Sequence, residues 1–159
     1  MIAKTPEEIA ALREGGRRLA TYLNELKGMV KPGITARELE ARALELIASG
    51  GDDPAFKGHK DRKNDKPYPS SLCLSVNDVI VHSPASDNDA VIQDGDVVKL
   101  DFGIKHKGLY TDHAHTVIAG EKRDPEDVKM IRLAYEALIA GIARAKIGNT
   151  TGDIGHTVE

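Results

Sequence analysis

The sequence predicts an α/β fold of the α+β type, in which a long antiparallel hairpin is preceded and followed by amphipathic helices. Three observations carry that prediction. Residues 97–105 and 109–117 are apolar-rich, β-branched runs separated by the turn chemistry of His106-Lys107-Gly108. Two capping boxes, Thr5-Pro6-Glu7-Glu8 and Thr35-Ala36-Arg37-Glu38, each open a run of apolar residues at helical spacing. A further run of that spacing follows Asp124-Pro125-Glu126-Asp127.

In the first helix Pro6 takes the first helical position, Ile9, Leu12, Leu19, Leu23 and Leu26 form one face, and Pro32-Gly33 stops the run. The second helix sets Leu39, Ala43, Leu46 and Ile47 on one side and ends at Ser49-Gly50-Gly51. Residues 52–69 are polar, Lys-rich and broken by three prolines, which predicts a loop. Residues 71–76 alternate with period two and residues 79–82 (VIVH) are β-branched, so each predicts a short strand, with a turn at Asn77-Asp78. After the hairpin, Met130, Leu133, Ala134, Ala137, Leu138, Gly141, Ile142 and Ala145 follow the helical rule up to Ile147-Gly148, and a fourth helix begins near Thr151.

At 159 residues the chain can bury a core, and 40% hydrophobic with 30% charged residues is a globular composition. A net charge of −3, with Lys and Arg mixed among acids, gives no support to a nucleic-acid or membrane-surface partner. The densest basic cluster, Lys57 to Lys66, contains His59 and two aspartates and reads as a solvated loop. A single cysteine, Cys73, cannot form an internal disulfide, and the N-terminus enters a charged helix with no apolar run of signal or spanning length. The expected location is the cytoplasm.

The helical regions resemble one another. Pro6-Glu7-Glu8-Ile9 echoes Pro125-Glu126-Asp127-Val128, and Lys31-Pro32-Gly33-Ile34-Thr35 echoes Lys146-Ile147-Gly148-Asn149-Thr150. The two copies differ by four residues, about one helical turn, which keeps the buried face in phase. The expected organisation is one incomplete domain over 1–159, with a first repeat over about 5–118 and a second beginning near 124.

The hairpin carries the chemistry. With a loop at His106-Lys107, Asp101 would face Asp112 directly, with Cβ atoms roughly 5 Å apart. A loop at Lys107-Gly108 shifts the pairing by two residues and leaves both aspartates on one face; a three-residue loop separates them. Two half-buried carboxylates repel, and a cation between them relieves that repulsion. Capped turns explain many aspartates, but Asp101 lies inside the apolar run Val97, Val98, Leu100, Phe102, where Asp is disfavoured.

His82 closes an apolar run before Ser83-Pro84; alone it reads as a structural histidine, but near a carboxylate pair its imidazole can bond a substrate amide and shuttle a proton near pH 7. His113 and His115 alternate away from Asp112 and are poor co-ligands for the same metal. Cys73 reads as a packing group, and no nucleophilic-serine motif, P-loop or dinucleotide fingerprint is present.

Tyr68-Pro69-Ser70, Cys73, Ser75-Val76-Asn77, Val79, His82, Asp94-Gly95-Asp96, Leu100-Asp101 and Thr111-Asp112 stand in the order and spacing of the methionine aminopeptidases. The chain resembles the type I members of that family over nearly its whole length. The resemblance implies the pita-bread (creatinase/aminopeptidase) fold, of which this chain would hold the first half and the two helices of the second. It implies a metal-dependent hydrolase that removes the initiator Met from nascent proteins with a small second residue, using a metal-bound hydroxide. Asp101 would then be the bridging carboxylate of a two-metal site and Asp112 its neighbour, the ions being cobalt, manganese, iron or zinc. His82 would be catalytic and contact the scissile peptide, and Tyr68 and Cys73 would line the pocket for the Met side chain. Nascent polypeptide N-termini are the implied partners, with the ribosome beside them. Two metals about 3.5 to 4 Å apart suit such chemistry.

The sequence departs from the family in two places. Ser83-Pro84 follows His82 where the family has Gly-Ile-Pro. The family's remaining ligands, one His and two Glu, would lie beyond Glu159, and His156 is not their counterpart. The 159 residues are therefore expected to be a fragment or a short form with little activity of their own. Two other readings share the pattern: a non-catalytic interaction module, marked by loss of the aspartates or His82, and an Xaa-Pro dipeptidase. Tyr68-Pro69 with Cys73 favours the Met pocket over the latter.

Overall fold

The computed structural model describes residues 5–60, 62–63 and 65–159. They form two compact units, one up to Lys122 and one from Arg123 onward. No helix among the described residues is long and apolar enough to cross a membrane.

The first unit opens with helix α1 (Pro6–Met29) and helix α2 (Ala36–Gly50), both begun by complete capping boxes at Thr5 and Thr35. Each cap satisfies amides that the first helical turn would leave bare. α2 ends where Gly51 enters the left-handed region at φ +69. Leu19, Leu23 and Leu26 of α1 and Leu39, Ala43 and Ile47 of α2 are buried, while Ile9 stays exposed.

The sheet is antiparallel throughout. Strand β3 (Val97–His106) is its spine: β4 (Leu109–Ile118) pairs along one edge, and the other edge is shared end to end by β2 (Leu72–Val76) and the two-residue β1 (Asp53–Pro54). Val98, Leu100, Phe102 and Ile104 alternate onto one face and are fully buried with Leu72, Leu74 and the helical leucines. The intervening residues Lys99, Asp101, Gly103 and Lys105 fall on the opposite face. The helices thus leave that second face free for a site.

Several expectations change. The segment 79–82 is not a strand: Val79, Ile80 and Val81 are exposed, because the free edge of β2 is taken by Ser83 and Pro84, with Leu74 N donating to Ser83 O at 2.8 Å. The loop over 52–69 contains β1, held by Ala55 N donating to Gly103 O at 3.1 Å. β2 is buried on both faces from Leu72 to Ser75 rather than alternating with solvent.

The hairpin turns at Lys107-Gly108, with φ +49 and +81, so His106 pairs with Leu109. Positive φ at both central positions is the turn whose twist matches a two-residue hairpin, and Gly108 supplies it. The pairing with Asp101 squarely opposite Asp112 is thereby replaced: Asp101 faces Ala114 and Asp112 faces Gly103.

The second unit is a helix pair, α3 (Pro125–Arg144) and α4 (Thr151–Val158), the latter opened by a capping box at Thr150. Gly141 lets the two approach: a Cβ there would lie 2.9 Å from Val158 Cγ2. The predicted apolar face of α3 is exposed, Met130, Leu133, Leu138 and Ile142 each being about half accessible.

Candidate active site

All five residues singled out in the sequence, Tyr68, Cys73, His82, Asp101 and Asp112, line one cavity of about 600 Å³ on the sheet face opposite the helices. β3 delivers Asp101 and β4 delivers Asp112, two rungs apart along the ladder and therefore on the same face. Directly opposite Asp101 on the other edge is Cys73, so carboxylate and thiol share that face too. Asp101 is half-buried and Asp112 exposed.

Burial, and next the neighbouring Asp112 carboxylate, push the Asp101 carboxyl up to about 6. Neither aspartate forms a salt bridge with a Lys or Arg among the described residues. A carboxylate pair without a cationic partner fits a divalent ion, which would remove the repulsion and keep both groups ionised. The fit is partial, since no group of three or more His, Cys, Asp and Glu among the described residues is placed to hold one ion.

His82 reaches the cavity by an unusual backbone. Its φ is +62, a left-handed conformation that costs a residue with a Cβ about 1 kcal/mol. The tertiary contacts that override this are the Leu74–Ser83 hydrogen bond and the Cys73–Pro84 bridge immediately after it. Its imidazole lies near enough to Asp101 to oppose the upward shift there.

Phe56, Tyr68, Cys73 and Pro84 supply the less polar wall. The Tyr68 hydroxyl is buried beside Cys73 with no well-formed hydrogen bond among the described residues, and that burial pushes its ionisation well above the ordinary tyrosine range. Phe56 packs against Gly103, where a Cβ would come within 2.9 Å of its ring and of Ala55. Sequence reasoning missed Phe56; its signal was the isolated aromatic in a polar loop.

Another missed residue positions the site from behind. Glu40, inside α2 and only 5% exposed, accepts from Ser71 N at 2.8 Å, Ser71 Oγ at 3.0 Å and Leu72 N at 2.8 Å. It fixes the start of β2, the strand that presents Cys73. His113 and His115 fall on the other face of β4, opposite Phe102 and Leu100, away from the aspartates as expected.

Residues 10–159 match the family model of metallopeptidase family M24. The chain belongs to that family. This M24 chain is 36% identical over its whole length to methionine aminopeptidase 1 of Bacillus subtilis, and 40% identical over 95% of its length to a methionine aminopeptidase of Aquifex aeolicus. The matches span 60% and 58% of those proteins, so the M24 chain covers well under two thirds of the relatives it resembles. The crystal structure of a methionine aminopeptidase from Thermotoga maritima superposes with TM-score 0.87 at 34% identity, covering 99% of this chain and 60% of that one. An aminopeptidase P structure from Escherichia coli superposes with TM-score 0.80 at 21% identity and shares the fold. The M24 chain therefore has the pita-bread architecture of these enzymes over the part it spans. Its family is one of metallopeptidases, in keeping with the carboxylate pair.

Proposed function

We propose that this chain carries the substrate pocket and two metal ligands of a methionine aminopeptidase, an enzyme removing the initiator Met from nascent polypeptides with a small second residue. The observation that carries the reading is the single cavity that gathers Asp101, Asp112 and His82 beside a wall of Tyr68, Cys73 and Phe56. A thioether side chain is unbranched and polarisable, and aromatic and sulfur neighbours suit it.

Asp101 and Asp112 would hold divalent cations, two in a complete site, of cobalt, manganese, iron or zinc. Bound there, the ions supply Lewis-acid activation of water and of the scissile carbonyl. His82 bonds the scissile amide and relays a proton to the departing amine. The buried, unpaired Tyr68 hydroxyl stands ready to donate to an acceptor on the substrate. Substrates are nascent N-termini, which places the protein in the cytoplasm and beside the ribosome. We further read 124–159 as the opening of a second copy of the first helix pair, since the capping box at Thr150 repeats the one at Thr35.

The test is release of Met from a Met-Ala-Ser peptide, together with manganese binding, for the native sequence and Asp101→Asn. Only two carboxylates are offered by the described residues, so the 159-residue chain is expected to bind the ion weakly and turn over slowly. Both activities should vanish in the variant and with a chelator. Met release indifferent to chelator and to Asp101→Asn would overturn the reading.

A further inference from the structure

The basic turn from Lys57 to Lys66 does more than meet solvent. Its neck is stitched to the cavity wall: Gly58 N donates to Tyr68 O at 2.8 Å, Tyr68 N to His59 O at 2.8 Å, and His59 N to Phe56 O at 2.9 Å. Lys60 near its start and Lys66 at its end both border the cavity that holds Asp101 and Asp112. The turn is therefore tied to the mouth of the site by the backbone of a residue that lines the pocket.

Its charge is out of character with the rest of the chain. In sequence, residues 57–66 carry Lys57, Lys60, Arg62, Lys63 and Lys66 against two aspartates, while the whole chain carries −3. Asp65 accepts from Arg62 N at 2.9 Å and borders the cavity between the two lysines, so Lys60 and Lys66 leave that stretch of the rim with a net positive charge. Lys60 and Lys66 are exposed and make no salt bridge among the described residues. Two rim cations without a salt bridge among the described residues are available to a ligand.

We propose that this turn is a specificity element that reads acidic side chains a few residues past the N-terminal residue seated in the cavity. The inference rests on the aminopeptidase reading above, and it adds a preference that the reading does not contain. With one residue inside the cavity, the rest of the polypeptide must leave through the mouth. In extended form its third to fifth residues lie roughly 7 to 14 Å from the first, within reach of lysine side chains on the rim. An Asp or Glu there meets Lys60 or Lys66; a Lys or Arg there is repelled. A single-stranded nucleic acid fits less well, because it calls for exposed aromatic faces along a basic groove, and the turn's aromatic neighbours Phe56 and Tyr68 line the cavity instead.

The experiment is competition binding, with manganese present, of Met-Ala-Glu-Glu-Ser, Met-Ala-Ser-Ser-Ser and Met-Ala-Lys-Lys-Ser against a labelled Met-Ala-Ser peptide. N-acetylated Met-Ala-Ser-Ser-Ser and a short oligouridylate serve as controls. The acidic peptide should bind about fivefold tighter than the neutral one, as two exposed ion pairs permit. That preference should disappear in Lys60→Ala/Lys66→Ala, invert in Lys60→Glu/Lys66→Glu, and collapse at about 1 M salt. Equal binding of acidic and neutral peptides, with the acetylated control still rejected, would overturn this inference and leave the aminopeptidase reading standing. Failure to distinguish free from acetylated Met would overturn both. Oligouridylate binding tighter than the acidic peptide and lost in the same variants would overturn the proposal in favour of a nucleic-acid contact.

Discussion

Asp101 and Asp112 lie diagonally across the β3–β4 ladder, each opposite a residue with almost no side chain, Ala114 and Gly103 respectively. The arrangement sets two carboxylates near one another on one sheet face, with neither blocked by the side chain directly across from it. It also explains why Asp101 feels Asp112 strongly while both remain accessible from the cavity.

In the metal-free protein the Asp101 carboxyl should titrate at about 6 when followed by carboxyl-carbon NMR. Asp112→Asn removes one cause of the rise but not burial, so the midpoint should fall and still stay above the ordinary 3.8. A raised carboxyl pKa means the folded state holds its proton longer than the unfolded one. Stability from this group therefore declines as pH rises from about 4 to 6, and adding manganese should restore it. A midpoint that Asp112→Asn leaves unmoved would remove the coupling.

Glu14 has the opposite sign. Lys107 first, then Arg18, hold its carboxyl down to about 2, with contacts of 2.8 and 3.0 Å. A depressed carboxyl contributes stability that is present above its ordinary 4.5 and is lost as pH falls toward 2. Urea midpoints of the native sequence and Glu14→Gln should differ at pH 6 and converge near pH 2. The contact joins α1 to the hairpin turn, so the effect reports how firmly the helix holds the strand pair that carries both aspartates.

Glu40→Ala should cost about 3 kcal/mol in urea unfolding, because it strands the buried donors Ser71 N, Ser71 Oγ and Leu72 N. Glu40→Gln keeps one accepting oxygen and should cost about half of that. A near-neutral Glu40→Ala would show that β2 is placed without it.

Gly103→Ala puts a methyl group 2.9 Å from both Ala55 Cβ and Phe56 Cε1. The edge segment must move off β3, at about 1 to 3 kcal/mol. Phe56 moves with it, so peptide binding should weaken alongside the thermal midpoint. Unaltered binding in a folded Gly103→Ala would detach Phe56 from the pocket's function.

Helices α1, α2 and α4 were legible because their starts depend on contacts three residues apart, Thr5 with Glu8, Thr35 with Glu38 and Thr150 with Asp153. The hairpin was legible because turn residues separate two β-branched runs. Its register was not, since loops at 106–107 and 107–108 give the same facial pattern; only the positive φ values at Lys107 and Gly108 decide between them. The VIVH run has strand propensity, yet the β2 edge next to it in the chain is occupied by Ser83 and Pro84. Glu40 was not legible because nothing local in the sequence announces the three donors that arrive from residues 71–72.

By itself the sequence determined the four helices, the two long strands of the hairpin and the motif that marks the family, because each of these is a matter of spacing along the chain. The tertiary structure alone decided that Asp101 faces Ala114, that His82 turns through φ +62 into the cavity, and that Tyr68 ties a lysine turn to the rim. Those are outcomes of which backbone edge is already taken and which buried donors need an acceptor, and such competition exists only once distant segments have met.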